Sequence, residues 1–187
     1  MGSAVSRLTL AVALAALVIT PVSARQLPTT GGWEIYEDDP FCYMWSDFEG
    51  PGDTELSLAL NIDGRVMLQL RNTDWSVKDG ESYKLAADMK DLSIVGEATG
   101  SKASAYPYKK GLMGTVSVPG FLAAFAKSPN IHFYLDSTDS KEFDAKNAIV
   151  LDKLKLGGSG VAIAAVSYTH LRAHETKANL VCRLLLE

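Results

Sequence analysis

Thr54-Glu-Leu-Ser-Leu-Ala-Leu-Asn-Ile62, followed by Asp63-Gly64 and then Arg65-Val-Met-Leu-Gln-Leu-Arg71, decides the fold class of this 187-residue chain. Leu56, Leu58, Leu60 and Ile62 fall on one face, with Glu55, Ser57 and Asn61 on the other. That two-residue period is the signature of a half-buried strand. Asp63-Gly64 tolerates positive φ at both positions and marks a hairpin turn. The return stretch sends Val66, Leu68 and Leu70 inward, and Arg65, Met67, Gln69 and Arg71 outward.

Strand patterns continue on both sides of this hairpin. Trp33–Tyr36 and Phe41–Phe48 flank an acidic turn, Glu37-Asp38-Asp39-Pro40. Tyr83–Met89 alternates and pairs naturally with Leu92–Ala98, and Leu112–Val118 and Ile131–Asp136 read as further strands. Ala148–Leu156 is ambiguous in facing, with Val150, Asp152 and Leu154 on one side and Ile149, Leu151, Lys153 and Lys155 on the other. Thr99–Gly111 is the only loose stretch.

Two short helices interrupt the strands late in the chain. Pro119–Lys127 carries Phe121, Leu122 and Phe125 on one stripe, and Ser128-Pro129-Asn130 ends it. The second follows Gly157-Gly158, with Ser159 as its expected N-cap, and runs through Val161-Ala162-Ile163-Ala164. The expected class is α+β, mostly β: an antiparallel sheet, or a small barrel or sandwich, with two short helices.

Both ends read as something other than this domain. Met1–Ala24 has a basic start at Arg7, an apolar run from Leu8 to Thr20, and small residues at Val22 and Ala24 before Arg25. That is a signal-peptide pattern, too short for a comfortable membrane span. Val166–Glu187 back-translates in one frame to two sequencing-library adapter blocks separated by an index-sized gap. Segments of that origin stand outside fold reasoning. The alternative for this stretch is a genuine amphipathic helix. The expected organisation is a signal peptide over 1–24, one β-rich periplasmic or secreted domain over 25–165, and an adapter-derived tail over 166–187. His170, His174 and Cys182 then drop out of any functional argument, leaving His132 and Cys42.

The chain carries 18 basic and 22 acidic residues, a net charge of −4, and its longest Lys/Arg run outside the ends is Lys109-Lys110. A nucleic-acid partner needs a basic patch against that balance. Anionic membrane surfaces are disfavoured on the same ground. The expectation is no nucleic-acid partner and no membrane insertion once the leader is removed.

The chemistry-bearing residues are few. Cys42 in an oxidising compartment suggests a disulfide whose partner lay beyond Ala165, with a buried thiol as the alternative. Such a bridge would close a long loop and contribute about 4 kcal/mol. His132, between Ile131 and Phe133, suits cross-strand packing; one histidine and one distant cysteine cannot make a zinc site. No Gly-x-Ser-x-Gly elbow accompanies it, and Ser159 sits in Gly-Gly-Ser-Gly. Asp136–Asn147 resembles a calcium loop, but Lys141 stands where glycine is needed and Asn147 replaces the terminal glutamate. Asp47, Glu49 and Asp53 offer carboxylates without a spacing that selects a pair. No catalytic residue, metal or cofactor is expected.

Aromatic residues mark the surface candidates. Trp33, Tyr36, Phe41, Tyr43 and Trp45 cluster near the start of the domain. If Phe41, Tyr43 and Trp45 point outward, they form a ridge suited to stacking on sugars or docking a partner; burial in the core is the default. Tyr106 and Tyr108, in Tyr-Pro-Tyr-Lys-Lys, offer a second candidate contact patch, with a solvated loop as the default. The candidate surface is therefore Trp33, Tyr43, Trp45, Tyr106 and Tyr108.

The order of landmarks resembles proteobacterial periplasmic proteins of the invasion-associated locus B type. The likeness rests on Trp33, Cys42, the apolar helix Phe121–Ala126 and the ending Leu156-Gly-Gly-Ser-Gly-Val-Ala-Ile-Ala164. It implies an envelope protein concerned with host or surface interaction. The expected function is a non-enzymatic periplasmic or secreted interaction module, its partner a protein or glycan. The alternative is a soluble small-molecule or glycan binder using an aromatic surface or barrel mouth.

Overall fold

The computed structural model describes residues 25–38, 40–61, 65–102, 109–136 and 149–174, with side chains as far as residue 167. Among these residues, ten antiparallel strands form one sheet: β1 (Arg25–Thr30), β2 (Trp33–Asp38), β3 (Phe41–Phe48), β4 (Thr54–Asn61), β5 (Val66–Asn72), β6 (Ser82–Met89), β7 (Leu92–Lys102), β8 (Lys110–Val116), β9 (Asn130–Asp136) and β10 (Ile149–Lys155). Their order across the sheet is β1-β2-β3-β4-β5-β8-β7-β6-β9-β10. The helices are α1 (Phe121–Lys127) and α2 (Ser159–His174). β1 and β10 remain outer rims that do not pair with each other, so the architecture is an open sheet and not a closed barrel.

The decisive hairpin forms in the expected register. Leu56 faces Leu70, Leu58 faces Leu68, and Leu60 faces Val66, and all six are buried. The Asn61 N–H donates to the Arg65 carbonyl at 2.9 Å, which leaves the connection to residues 62–64, outside the described residues. On β3 the even positions, Cys42 and Met44, are buried, while Phe41, Tyr43 and Trp45 are only half-buried. The default of a buried odd-numbered row is thereby corrected: Ile35 and Met44 occupy the inner face of the β2–β3 pair, which leaves the odd positions outside.

Three elements depart from the sequence reading. β1 carries no alternation: Leu27 is its one buried residue, and the register shifts between Leu27 and Thr30, around Pro28. A proline without an N–H is tolerated on an edge strand. In β10, Val150 pairs with Tyr134 and Asp152 with Phe133, so Leu151 is an extra residue in the ladder. This bulge reverses the facing along the strand. Ile149 and Val150 are exposed on one side of it, and Leu154 is buried beyond it. Finally, Ser159 is the first residue of its helix and not the residue before it, since the Ala162 N–H donates to the Gly158 carbonyl at 3.0 Å. Its hydroxyl donates to the Phe125 carbonyl at 3.1 Å, satisfying one of the carbonyls left open at the end of α1.

The sheet coils so that its far end returns to its beginning. Leu56, Leu58, Leu70, Leu112, Phe133 and Leu154 point into one core, closed by Phe121, Leu122 and Phe125 of α1 and Ala162, Ile163 and Val166 of α2. The helices touch where Gly160 lies on α1: a Cβ there would stand 2.8 Å from the Ala126 carbonyl oxygen. α2 packs in turn on β1, β2 and β3. The Thr54 hydroxyl of β4 donates to the Asp152 carboxylate of β10, and Asn72 Nδ2 donates to Thr54 Oγ1 at 2.9 Å. The β1–β2 turn also abuts the β10–α2 turn, since a Cβ on Gly31 would stand 2.7 Å from the Gly158 carbonyl oxygen.

Candidate functional site on the outer face of the sheet

Register places three cross-strand rows on the outer face of β2–β5. Tyr36 faces Tyr43, and Tyr43 faces Ala59. Trp45 faces Glu34 on one side and Ser57 on the other, and Ser57 faces Gln69. Asp47 faces Glu55, and Glu55 faces Arg71. Neighbouring side chains in such rows lie about 5 Å apart and interact directly. Between the rows lies a hollow of about 370 Å³ lined by Tyr36, Asp38, Tyr43, Trp45, Glu55, Ser57, Gln69 and Arg71.

The walls are aromatic. The Tyr36 and Tyr43 ring centroids lie 6.0 Å apart with the planes tilted by 54°, and Phe41 stands 5.8 Å from Tyr43. Tyr43 is raised above the ordinary phenol value, first by its burial, then by the Asp38 carboxylate and by Tyr36. Its hydroxyl therefore keeps its proton, and its capacity to donate, throughout the neutral range.

The floor is polar and braced. Arg71 donates from Nη1 to Glu55 Oε1 at 2.5 Å and from Nη2 to Gln69 Oε1 at 2.7 Å. Lys109 Nζ donates to Asp47 Oδ1 at 3.1 Å and lies 3.9 Å from Glu55 Oε2. Only 8% of the Glu55 side chain is exposed, so this outer-face carboxylate is covered by its own partners. Gly111 makes room for the arrangement: it faces Arg71 across β5–β8, and a Cβ there would stand 3.1 Å from Arg71 Cγ. Glu55 is thus held as a member of a charge network and shapes the floor.

The structure separates the aromatic surface candidates. Tyr43 and Trp45 come together in the hollow. Trp33 does not join them. It is 1% exposed, meets Phe48 and Phe125 edge-on, and donates from Nε1 to the Gly157 carbonyl at 3.3 Å. Tyr106 and Tyr108 lie outside the described residues. Cys42 is buried on the inner face of β3, opposite Leu60. Glu55, Ser57, Gln69 and Arg71 carry no motif that marks them as site residues, although all four are outward positions of the hairpin that the sequence displays most clearly.

His132 sits elsewhere, beside an open bay of about 510 Å³ that also takes in Asp88, Asp91, Ser93 and Asn130. Its Nδ1 lies 3.4 Å from the Tyr134 hydroxyl. Ser93 Oγ donates to Asp88 Oδ1 at 2.5 Å, and Asp88 faces His132. A nucleophilic triad needs the imidazole between hydroxyl and carboxylate; here the Ser93 hydroxyl bonds the Asp88 carboxylate directly, and His132 Nδ1 lies beside Tyr134. Among the described residues, no three His, Cys, Asp or Glu side chains converge in a group able to hold a metal. No helix among them is long and apolar enough to cross a membrane.

No family model matches the chain, and no curated protein matches it. Among solved structures, it is similar to the crystal structure of invasion associated protein B from Bartonella henselae. The two share 15% identity at a TM-score of 0.54, over 76% of this chain and 96% of that one. This likeness is one of fold, to a protein of the kind that the landmark order resembles.

Proposed function

We propose that this protein is a non-enzymatic interaction module of the bacterial envelope, periplasmic or secreted, whose working surface is the outward hollow of β2–β5. The observation that carries the proposal is the display of Tyr36, Tyr43 and Trp45 outward around a concave polar floor. Large aromatic side chains left half in water at a hollow are suited to stacking on a ligand. The hollow's size falls within the range that small ligands occupy. Its donors and acceptors, Ser57, Gln69 and the Tyr43 hydroxyl, match the hydroxyls of a saccharide unit. Glu55 is engaged by Arg71, an arrangement that suits positioning and not proton transfer.

Export is supported by the leader-like pattern of Met1–Ala24. The name of the similar Bartonella protein, which associates it with invasion, supports an envelope role. Cys42 faces inward on a strand that α2 packs against, which supports a bridge to a cysteine in the native segment beyond Ala165, and not to Cys182. A protein partner is the second reading, supported by the breadth of the same face.

Probing a glycan array with the folded protein tests the saccharide reading. Wild type should retain specific saccharides, and Trp45→Ala should weaken the best of them about tenfold, a loss of about 1.4 kcal/mol. Equal binding by the two proteins, or no saccharide retained by wild type, would overturn it.

A further inference from the structure

β7 and β8 are neighbours in the sheet, yet they pair only from Thr99 opposite Met113 to Lys102 opposite Lys110. From that point the two strands part. Gly114 is still close to β7, since a Cβ there would stand 3.0 Å from the Glu97 carbonyl oxygen. Beyond it, Leu92–Gly96 of β7 is laddered to β6 alone. Thr115–Val116 of β8 is laddered to β5 alone. Two stretches of strand edge therefore face each other across a gap without ladder partners among the described residues. In an antiparallel strand, alternate residues direct both N–H and C=O to the same side. About half of the residues in Leu92–Gly96 thus present both groups to the gap.

The gap reaches down to the core. A cavity of about 70 Å³ lies in it, floored by Leu68, Leu85, Ala87 and Phe133 and walled by Ile94 and Val116. At its rim Val95 is 58% and Val118 40% exposed. The contrast with the outer rims of the sheet is informative. β1 is broken by Pro28, and β10 by its bulge and by Lys153 and Lys155, the usual devices against strand addition. Leu92–Ala98 contains neither proline nor lysine, and its ladder to β6 runs without a register shift.

We propose that the β7–β8 gap is a strand-addition site for an extended segment of a partner polypeptide. The segment lies antiparallel along Leu92–Gly96, with one apolar side chain entering the cavity over Leu68, Leu85 and Phe133 and its alternate neighbours resting on the rim. Unladdered backbone on a strand edge specifies an extended backbone as its complement, and the apolar floor specifies the inward side chains. Glu97, exposed on the β7 wall, selects a basic residue on the outward face of the segment. Five residues of edge span about 17 Å, so a heptapeptide covers the site with one residue over at each end. This inference does not depend on the hollow of β2–β5, which lies on other strands and takes other ligands.

The test uses the full chain and a set of end-blocked heptapeptides with Val, Ile or Phe at alternate positions and Thr and Lys between them. Binding is followed by titration and by hydrogen exchange of individual amides. The expected result is saturable binding, with alternate amides in Leu92–Gly96 gaining at least tenfold protection. Methylating the peptide nitrogens along one edge should reduce affinity at least tenfold. Three results would overturn the proposal: no saturable binding up to about 1 mM, protection confined to β1 or β10, or equal affinity for the methylated peptides. Because the mapping is done on the unaltered protein, the outcome does not hinge on whether a variant folds. Loss of saccharide binding in Trp45→Ala would leave it untouched.

Discussion

Glu55 and Arg71 face each other across β4 and β5, with Lys109 reaching over from the start of β8, so one covered carboxylate sits between two cations. Removing it leaves two like charges close together with little water to hydrate them. Glu55→Ala should therefore lower unfolding free energy by about 3 kcal/mol. The measurement is the urea midpoint, and the slope should not change. The Glu55→Ala/Arg71→Ala double variant should lose less than the sum of the single variants, because the residues share one network. Tyr43 gives a second expectation at this scale. Its folded value lies above the ordinary phenol value of 10.0, so the fold favours the protonated phenol. The stabilisation is complete below pH 10.0 and is lost as pH rises through the higher folded value. Equilibrium denaturation above pH 10.0 should show wild type losing stability more steeply than Tyr43→Phe. Parallel curves would contradict it.

At the scale of elements, legibility follows periodicity. β4 and β5 are readable because their buried leucines alternate without a break, and the Asp-Gly signal sets the pairing. α1 is readable because Phe121, Leu122 and Phe125 make one stripe that the structure buries. β1 is not, since a rim strand with one buried residue leaves no periodic trace. β10 is ambiguous for a physical reason: its bulge at Leu151 reverses the parity, so neither facing fits the whole strand. β7 runs on to Lys102 through residues that read as loop, held there by pairing with β8, a partner that local composition cannot reveal. The hollow is half legible. Tyr43 and Trp45 are marked by their aromatic character, whereas Glu55 and Arg71 become a pair only when the register of the hairpin is applied across both strands. Trp33 belongs to the same aromatic cluster in sequence, but odd positions on β2 face inward where odd positions on β3 face outward.

At the scale of the molecule, the coiled sheet is held at its two ends by a contact between backbones. Gly158 has a left-handed φ of 77°, and a side chain there would collide with the backbone of Gly31. Gly120 has a similar φ of 80° with open space around it. The pair separates conformational cost from closure. Gly120→Ala should cost about 1 kcal/mol, the penalty of a left-handed L-residue. Gly158→Ala should cost at least about 3 kcal/mol, because the ends must also move apart. Thermal unfolding of the two variants measures the difference, and equal shifts would mean that the turns do not hold each other. The burial of Trp33 between Phe48 and Phe125 has an optical corollary. Of the three indoles, Trp33 is enclosed while Trp45 and Trp75 are partly in water, so the emission of the native protein is a superposition of a blue, quencher-resistant component and a red, accessible one. The first reports whether the ends of the sheet are joined, and the share of the second that Trp45 contributes reports whether the outer face is covered, so the molecule carries separate built-in fluorophores for its two faces.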